Sequence, residues 1–87
     1  MKGLHLRVVE NDLRWSRVLF ATTRAFSGAV ARNRARRQIR EAYRLLKQDI
    51  QGHYDIAFVL YPGSHDFTDR QAQVEKLLHR AELLPSG

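Results

Sequence analysis

The sequence predicts a small α+β fold: a two-layer sandwich of a three- to four-stranded sheet with one long basic helix and a second, C-terminal helix. Three observations predict it. Residues 4–9 alternate in side-chain character, with Leu4, Leu6 and Val8 opposite His5, Arg7 and Val9, the period of a strand with one buried face. Residues 29–47, AVARNRARRQIREAYRLLK, carry apolar side chains at the i, i+3, i+4, i+7 spacing of a helix lying on a core. Residues 54–61, YDIAFVLY, form a continuous apolar run, which suits a central strand covered on both faces.

The elements follow in order. After the first strand, Glu10-Asn11-Asp12 is a polar break of turn-forming residues. Trp15 to Ala25 reads as a second strand, with Val18, Phe20 and Thr22 on one face and Leu19, Ala21 and Thr23 on the other. The short break predicts an antiparallel hairpin between the two strands, and the small residues Ala21, Thr22 and Thr23 leave room for a shallow groove. Ser27 is the expected N-cap of the long helix. That helix should run to about Ile50, with Gly52 as its stop.

On the helix, Ala31, Ala35, Ile39, Ala42, Tyr43 and Leu46 share one arc. Arg36, Arg37, Arg40, Arg44, Lys47 and Asn33 share the opposite one, with Arg32 and Arg34 flanking it. A strand, a helix and a strand in succession predict a βαβ unit, so the strand at 54–61 should lie parallel to the second. Pro62-Gly63 ends it. Thr68-Asp69-Arg70-Gln71 fits a capping box for the last helix. Val74, Leu77, Leu78, Ala81 and Leu84 then form a second apolar stripe.

Composition narrows the function. At 87 residues the chain is one domain, 1–87. From Arg24 to Lys47 there are eight basic residues, seven of them Arg, and a single acid, Glu41. The segment carries +7 while the whole chain carries +6, so the charge belongs to one helix. An arginine-rich face with almost no counter-charge is the footprint of a polyanion binder, because a guanidinium can fork onto phosphate oxygens or stack on a base. A solvated amphipathic face would interleave acids at i, i+4 instead.

No apolar run approaches the ~20 residues of a membrane span, and MKGLHLRVVEN lacks the apolar region of a secretory signal. With no cysteine to form disulfides, a reducing cytoplasm is the expected location. No catalytic group is expected in the chain. His5, His53, His65 and His79 are scattered, Asp49 and Asp55 are isolated, and neither a phosphate-binding glycine loop nor a nucleophile elbow is present. No protein-held metal and no small-molecule substrate are expected. Trp15 and Phe26 read as core aromatics ahead of RNA-stacking ones.

Arg32-Asn33-Arg34, followed by Arg36-Arg37, Ile39-Arg40-Glu41-Ala42 and Arg44, resembles the signature helix of the bacterial ribonuclease P protein subunit. Arg17 to Thr23 (RVLFATT) with Arg24 is similar to that family's R-x-x-F-x-x-S-K strand, and Tyr54-Asp55-Ile56 with Pro62-Gly63 to its YDI…PG strand. The resemblance covers roughly residues 4–83.

It implies an α+β sandwich whose long helix makes a left-handed crossover between parallel strands, against the usual right-handed preference. It also implies a protein subunit without catalytic residues of its own. The RNA subunit, holding Mg²⁺, would perform the endonucleolytic hydrolysis that removes the 5′ leader from precursor tRNA. By resemblance Arg32, Asn33, Arg34, Arg36, Arg37 and Arg40 face RNA, and Arg44 continues that face. Ala21, Thr23 and Arg24 border a cleft for the single-stranded leader.

Three departures stand out. The family usually opens with an aromatic-bearing helix that forms one cleft wall, whereas this chain starts almost at a strand. The glycine expected after the basic pair is displaced to Gly28. Tyr61 occupies the place of a basic residue before Pro-Gly and is a further cleft candidate, able to stack on a base. The alternative reading is a general RNA-binding or ribosome-associated module with no part in tRNA processing.

Overall fold

The structure is a computed structural model that describes residues 3–63 and 65–85. In chain order it contains strand β1 (Leu4–Glu10), strand β2 (Arg17–Thr22), helix α1 (Ala29–Leu46) with a 3₁₀ turn at Lys47–Asp49, strand β3 (Tyr54–Leu60) and helix α2 (Phe67–Arg80). The strands form one sheet in the order β1-β3-β2. β3 runs antiparallel to β1, with Leu6 opposite Phe58, and parallel to β2, with Phe20 opposite Phe58.

The expected hairpin is therefore absent. β1 and β2 are the two edges, and β3, entering last, separates them. The most apolar strand takes the centre because it has flanking strands on both sides to shield it. Its cover is one-sided, however. Ile56, Phe58 and Leu60 are buried beneath the helices, while Asp55, Ala57 and Val59 look out from the other face, which no helix among the described residues covers. The expectation of a strand covered on both faces is corrected to one face.

The core lies between sheet and helices. Leu4 from β1, Ile56, Phe58 and Leu60 from β3, Ala35, Ile39, Ala42 and Tyr43 from α1, and Val74 and Leu78 from α2 are buried together. Phe20 stacks on Phe58 at 5.7 Å between ring centroids, and Tyr43 meets both rings edge-on, a favourable aromatic geometry. Burial raises the pKa of the Tyr43 hydroxyl. Phe26 is buried as expected of a core aromatic, but Trp15 is 59% exposed. The reason is that β2 begins only at Arg17 and ends at Thr22, shorter than the expected 15–25, so Trp15 lies in the connection before the strand.

Helix ends also differ from expectation. Gly28, not Ser27, is the N-cap of α1, and no side chain caps it. The α-helix stops at Leu46, where the chain tightens into the 3₁₀ turn short of Ile50. Gly52 follows with φ of 88°, a left-handed conformation suited to glycine. The capping box of α2 uses Asp66 and Asp69 in place of Thr68 and Gln71. Asp69 N–H donates to Asp66 Oδ1 at 2.8 Å, and Asp66 N–H donates to Asp69 Oδ2 at 3.1 Å. In the apolar stripe of α2, Val74, Leu78 and Leu84 are buried and Leu77 partly so, whereas Ala81 is exposed beyond the helix end.

Arg70 is the one buried charged residue among those described, at 2% exposure. Its Nη1 donates to the Gly3 carbonyl (2.9 Å) and Gln73 Oε1 (3.2 Å), and its Nη2 to the Tyr61 carbonyl (3.2 Å). It ties α2 to the ends of β1 and β3. Burial lowers its pKa, and the nearby Asp69 charge opposes that shift.

Candidate nucleic-acid interface

Seating Ala35, Ile39, Ala42 and Tyr43 in the core turns the arginines outward. Arg34, Arg37, Arg40 and Arg44 are exposed together with Asn33, and Arg32 and Arg36 are partly exposed. The helix faces are as the periodicity requires, since an 18-residue helix with one apolar arc leaves its charged arc to solvent.

The arginines are held in different ways. Arg44 donates from Nε and Nη2 to Glu41 (2.9 and 2.5 Å), so its charge has a partner one turn away. The Arg44 hydrogen bond keeps the Glu41 pKa below its usual value and raises that of Arg44. Arg36 donates from Nη1 to Asn33 Oδ1 (3.1 Å) and from Nη2 to Thr22 Oγ1 at the end of β2 (3.3 Å). The Arg40 guanidinium lies 5.8 Å from the centroid of the Phe20 ring, within cation–π range.

The leader-cleft candidates gather elsewhere, where β2 and β3 end. Ala21 lies on the open face of the sheet opposite Val59. Thr23 continues past the strand, its N–H donating to the Leu60 carbonyl at 3.1 Å, and its Oγ1 is buried without a hydrogen-bond partner. Arg24 is exposed beyond it. Tyr61 is 38% exposed, with its ring centroid 5.1 Å from that of His5. The structure thus brings Ala21, Thr23 and Tyr61 to one end of the sheet, with the arginine face of α1 beside edge strand β2. Thr22 connects the two regions through Arg36.

His5 and Phe20 are not among the residues predicted to form the site, and Thr22 is predicted only as a small residue of the groove. Strand alternation places His5 on the open face and the other two toward the helix, but pairing them with Tyr61, Arg40 and Arg36 needs strand order and helix position. At the far end of the open face a hollow of about 310 Å³ is lined by Arg7, Val9, Leu19 and Ala57 beside the Arg17–Asp55 pair. A larger cleft of about 1020 Å³ separates the start of α1 from the loop before α2, and of the predicted residues only Arg34 borders it. Among the described residues no group of three or more His, Cys, Asp or Glu is placed to hold a metal ion. No helix among them is long and apolar enough to cross a membrane.

Known proteins resemble this chain in sequence and in fold. The family model described as Ribonuclease P matches residues 1–82. The ribonuclease P protein component of Roseiflexus sp. (strain RS-1) is 42% identical over 87 residues, covering 97% of this chain and 71% of that protein. The corresponding protein of Chloroflexus aurantiacus (strain ATCC 29366 / DSM 635 / J-10-fl) is 42% identical over 86 residues, covering 95% of this chain and 64% of its own length. The solved structure of the Staphylococcus aureus RNase P protein superposes with a TM-score of 0.85 over 98% of this chain and 80% of that one, at 20% identity, which speaks for the fold. By the family match over 1–82 and the identity with these relatives, the chain belongs to the ribonuclease P protein family.

Proposed function

We propose that this chain acts as the protein component of ribonuclease P, binding the RNA subunit through α1 and the precursor-tRNA 5′ leader across the open face of the sheet. The observation that carries this reading is the outward face of α1, where Arg32, Arg34, Arg36, Arg37 and Arg40 have no acidic partner among the described residues. Asn33 stands among them. Guanidinium groups without a carboxylate partner, lined along one helix, suit a phosphate backbone, since each contact made releases condensed counterions. Arg44, already paired with Glu41, contributes less.

The leader reading rests on Ala21, Thr23, Arg24 and Tyr61. Small side chains let a strand of RNA approach the sheet, Arg24 offers a charge, and Tyr61 beside His5 offers a flat surface for a base. Stacking and backbone contact tolerate any base, as a leader of variable sequence requires. The chemistry is assigned to the RNA. Mg²⁺ would be bound by RNA phosphates, and the protein's part is to neutralise repulsion and hold the substrate. The cytoplasm, where precursor tRNA is processed in bacteria, is the proposed location.

Reconstitution with the ribonuclease P RNA of the same organism tests this. Cleavage of precursor tRNA at low Mg²⁺ should be stimulated by the chain and return toward the RNA-alone rate when Arg36 and Arg40 are both replaced by alanine. RNA binding without any stimulation would favour a general RNA-binding or ribosome-associated module.

A further inference from the structure

Two arginines of α1 contact two residues of β2. Arg36 and Arg40 stand four apart on the helix, about 6 Å along its axis at ~1.5 Å per residue. Thr22 and Phe20 stand two apart on the strand and so share its helix-facing side. The pairing is one to one: Arg36 Nη2 donates to Thr22 Oγ1 at 3.3 Å, and Arg40 lies 5.8 Å from the Phe20 ring centroid. Asn33 accepts from Arg36 Nη1 at 3.1 Å and closes a second side of that guanidinium. The Phe20 ring itself stacks on Phe58 with an interplanar angle of 4°. Neither arginine has a carboxylate partner among the described residues, unlike Arg17 and Arg44.

We propose that β2 is a template that preorganises Arg36 and Arg40 as a fixed pair for the phosphates of an RNA strand, with Thr22 and Phe20 as the positioning residues. The proposal rests on the RNA-binding reading above. An arginine on an exposed helix face samples many rotamers and loses that freedom on binding. Here the freedom is already restricted by neutral partners, which orient the guanidinium without cancelling its charge. Of the five N–H donors of Arg36, two are engaged by Asn33 and Thr22 and three remain. Asn33 thereby acquires a role in orienting Arg36.

Thr22→Val removes the acceptor while keeping the β-branched shape. Its dissociation constant for the organism's ribonuclease P RNA should rise about 3- to 10-fold, the scale of ordering one long side chain. The thermal midpoint should be unchanged, and Thr22→Ser should restore wild-type affinity. In an Arg36→Ala background Thr22→Val should add nothing, because its effect passes through Arg36. Phe20→Leu, compared in the same way with Arg40→Ala, tests the second arm. Wild-type affinity in Thr22→Val overturns the proposal, and so does an undiminished loss in the Arg36→Ala background. A readout without RNA separates this from the functional reading: the Arg36 guanidinium NMR signals should show hindered rotation in the wild type and faster rotation in Thr22→Val, where only Asn33 still accepts from Nη1. If the chain ignores the RNA altogether, the functional reading falls, and a freely rotating Arg36 in the wild type overturns the template by itself.

Discussion

Arg17 grips Asp55 from directly across the parallel strand pair. Its Nε donates to Oδ1 at 2.7 Å and its Nη2 to Oδ2 at 2.6 Å, and the two residues are register partners of β2 and β3. Asn11 adds a third hydrogen bond, from Nδ2 to Oδ1 at 3.0 Å. A slip of one residue would carry Arg17 to the opposite face of the sheet, so the fork selects a single register. Arg17 opens RVLFATT and Asp55 is the middle residue of YDI, two of the sequence strings that resemble the family, and the structure gives them a shared task.

The Arg17 hydrogen bond, and after it that of Asn11, hold the Asp55 pKa below the usual carboxylate value. A carboxyl with a depressed folded-state pKa stabilises the fold above its unfolded pKa of about 4, and that stability is lost as pH falls through the lowered value. Asp55→Asn should therefore lower the thermal midpoint modestly at pH 7, as suits an exposed pair. It should also flatten the decline of the midpoint between pH 5 and pH 2. Superimposable acid limbs for wild type and mutant would show that the pair contributes nothing.

Replacing Arg36 and Arg40 together by alanine should weaken binding to ribonuclease P RNA while leaving the circular dichroism spectrum intact. Losing two phosphate contacts should reduce the slope of log K against log salt by about 1.4–1.8. Arg44→Ala should change the slope less, because Glu41 already partners that guanidinium. A titration series from 50 to 300 mM salt measures both.

Arg70→Leu keeps apolar bulk under α2 and removes the donors that serve the Gly3 and Tyr61 carbonyls. The expected loss is about 2–4 kcal/mol, the cost of leaving buried acceptors unsatisfied. In urea the unfolding midpoint should fall with the m-value unchanged. A midpoint equal to that of the wild type would mean that water replaces the guanidinium without penalty.

At the start of α1 the two neighbouring small residues should behave differently. A Cβ added at Gly28 meets nothing within 4 Å, and its φ of 163° is extended backbone open to any residue. Gly28→Ser should stabilise the protein by about 0.5–1 kcal/mol through a new N-cap and a less flexible unfolded chain. Ser27→Ala should be neutral within about 0.5 kcal/mol. Calorimetry of both variants decides whether the cap lies at 28 or at 27.

Much of the molecule was legible from short-range pattern. The alternation at Leu4–Val9 and the spacing from Ala31 to Leu46 each report which side of one element meets the core, and period alone carries that information. The same spacing placed the arginines outward before any neighbour was known. Errors arose where a choice among partners was needed. Glu10-Asn11-Asp12 marks a chain reversal but does not say whether the next strand pairs with β1 or leaves a gap for β3. Asp66 and Thr68 are both competent N-caps, and the chain's entry into α2 selects Asp66.

By itself the sequence determined the element types, the apolar and basic sides of α1, the parallel relation of β2 and β3, and the concentration of charge on one helix, because each follows from local periodicity, composition or the order of elements along the chain. Only the tertiary structure decided that β3 lies between β1 and β2, that one sheet face stays open, and that Thr22 and Phe20 meet Arg36 and Arg40. Those pairings join residues 14 to 20 positions apart through the packing angle of a helix on a strand. Burial of a shared core sets that angle, and a linear pattern carries no record of it.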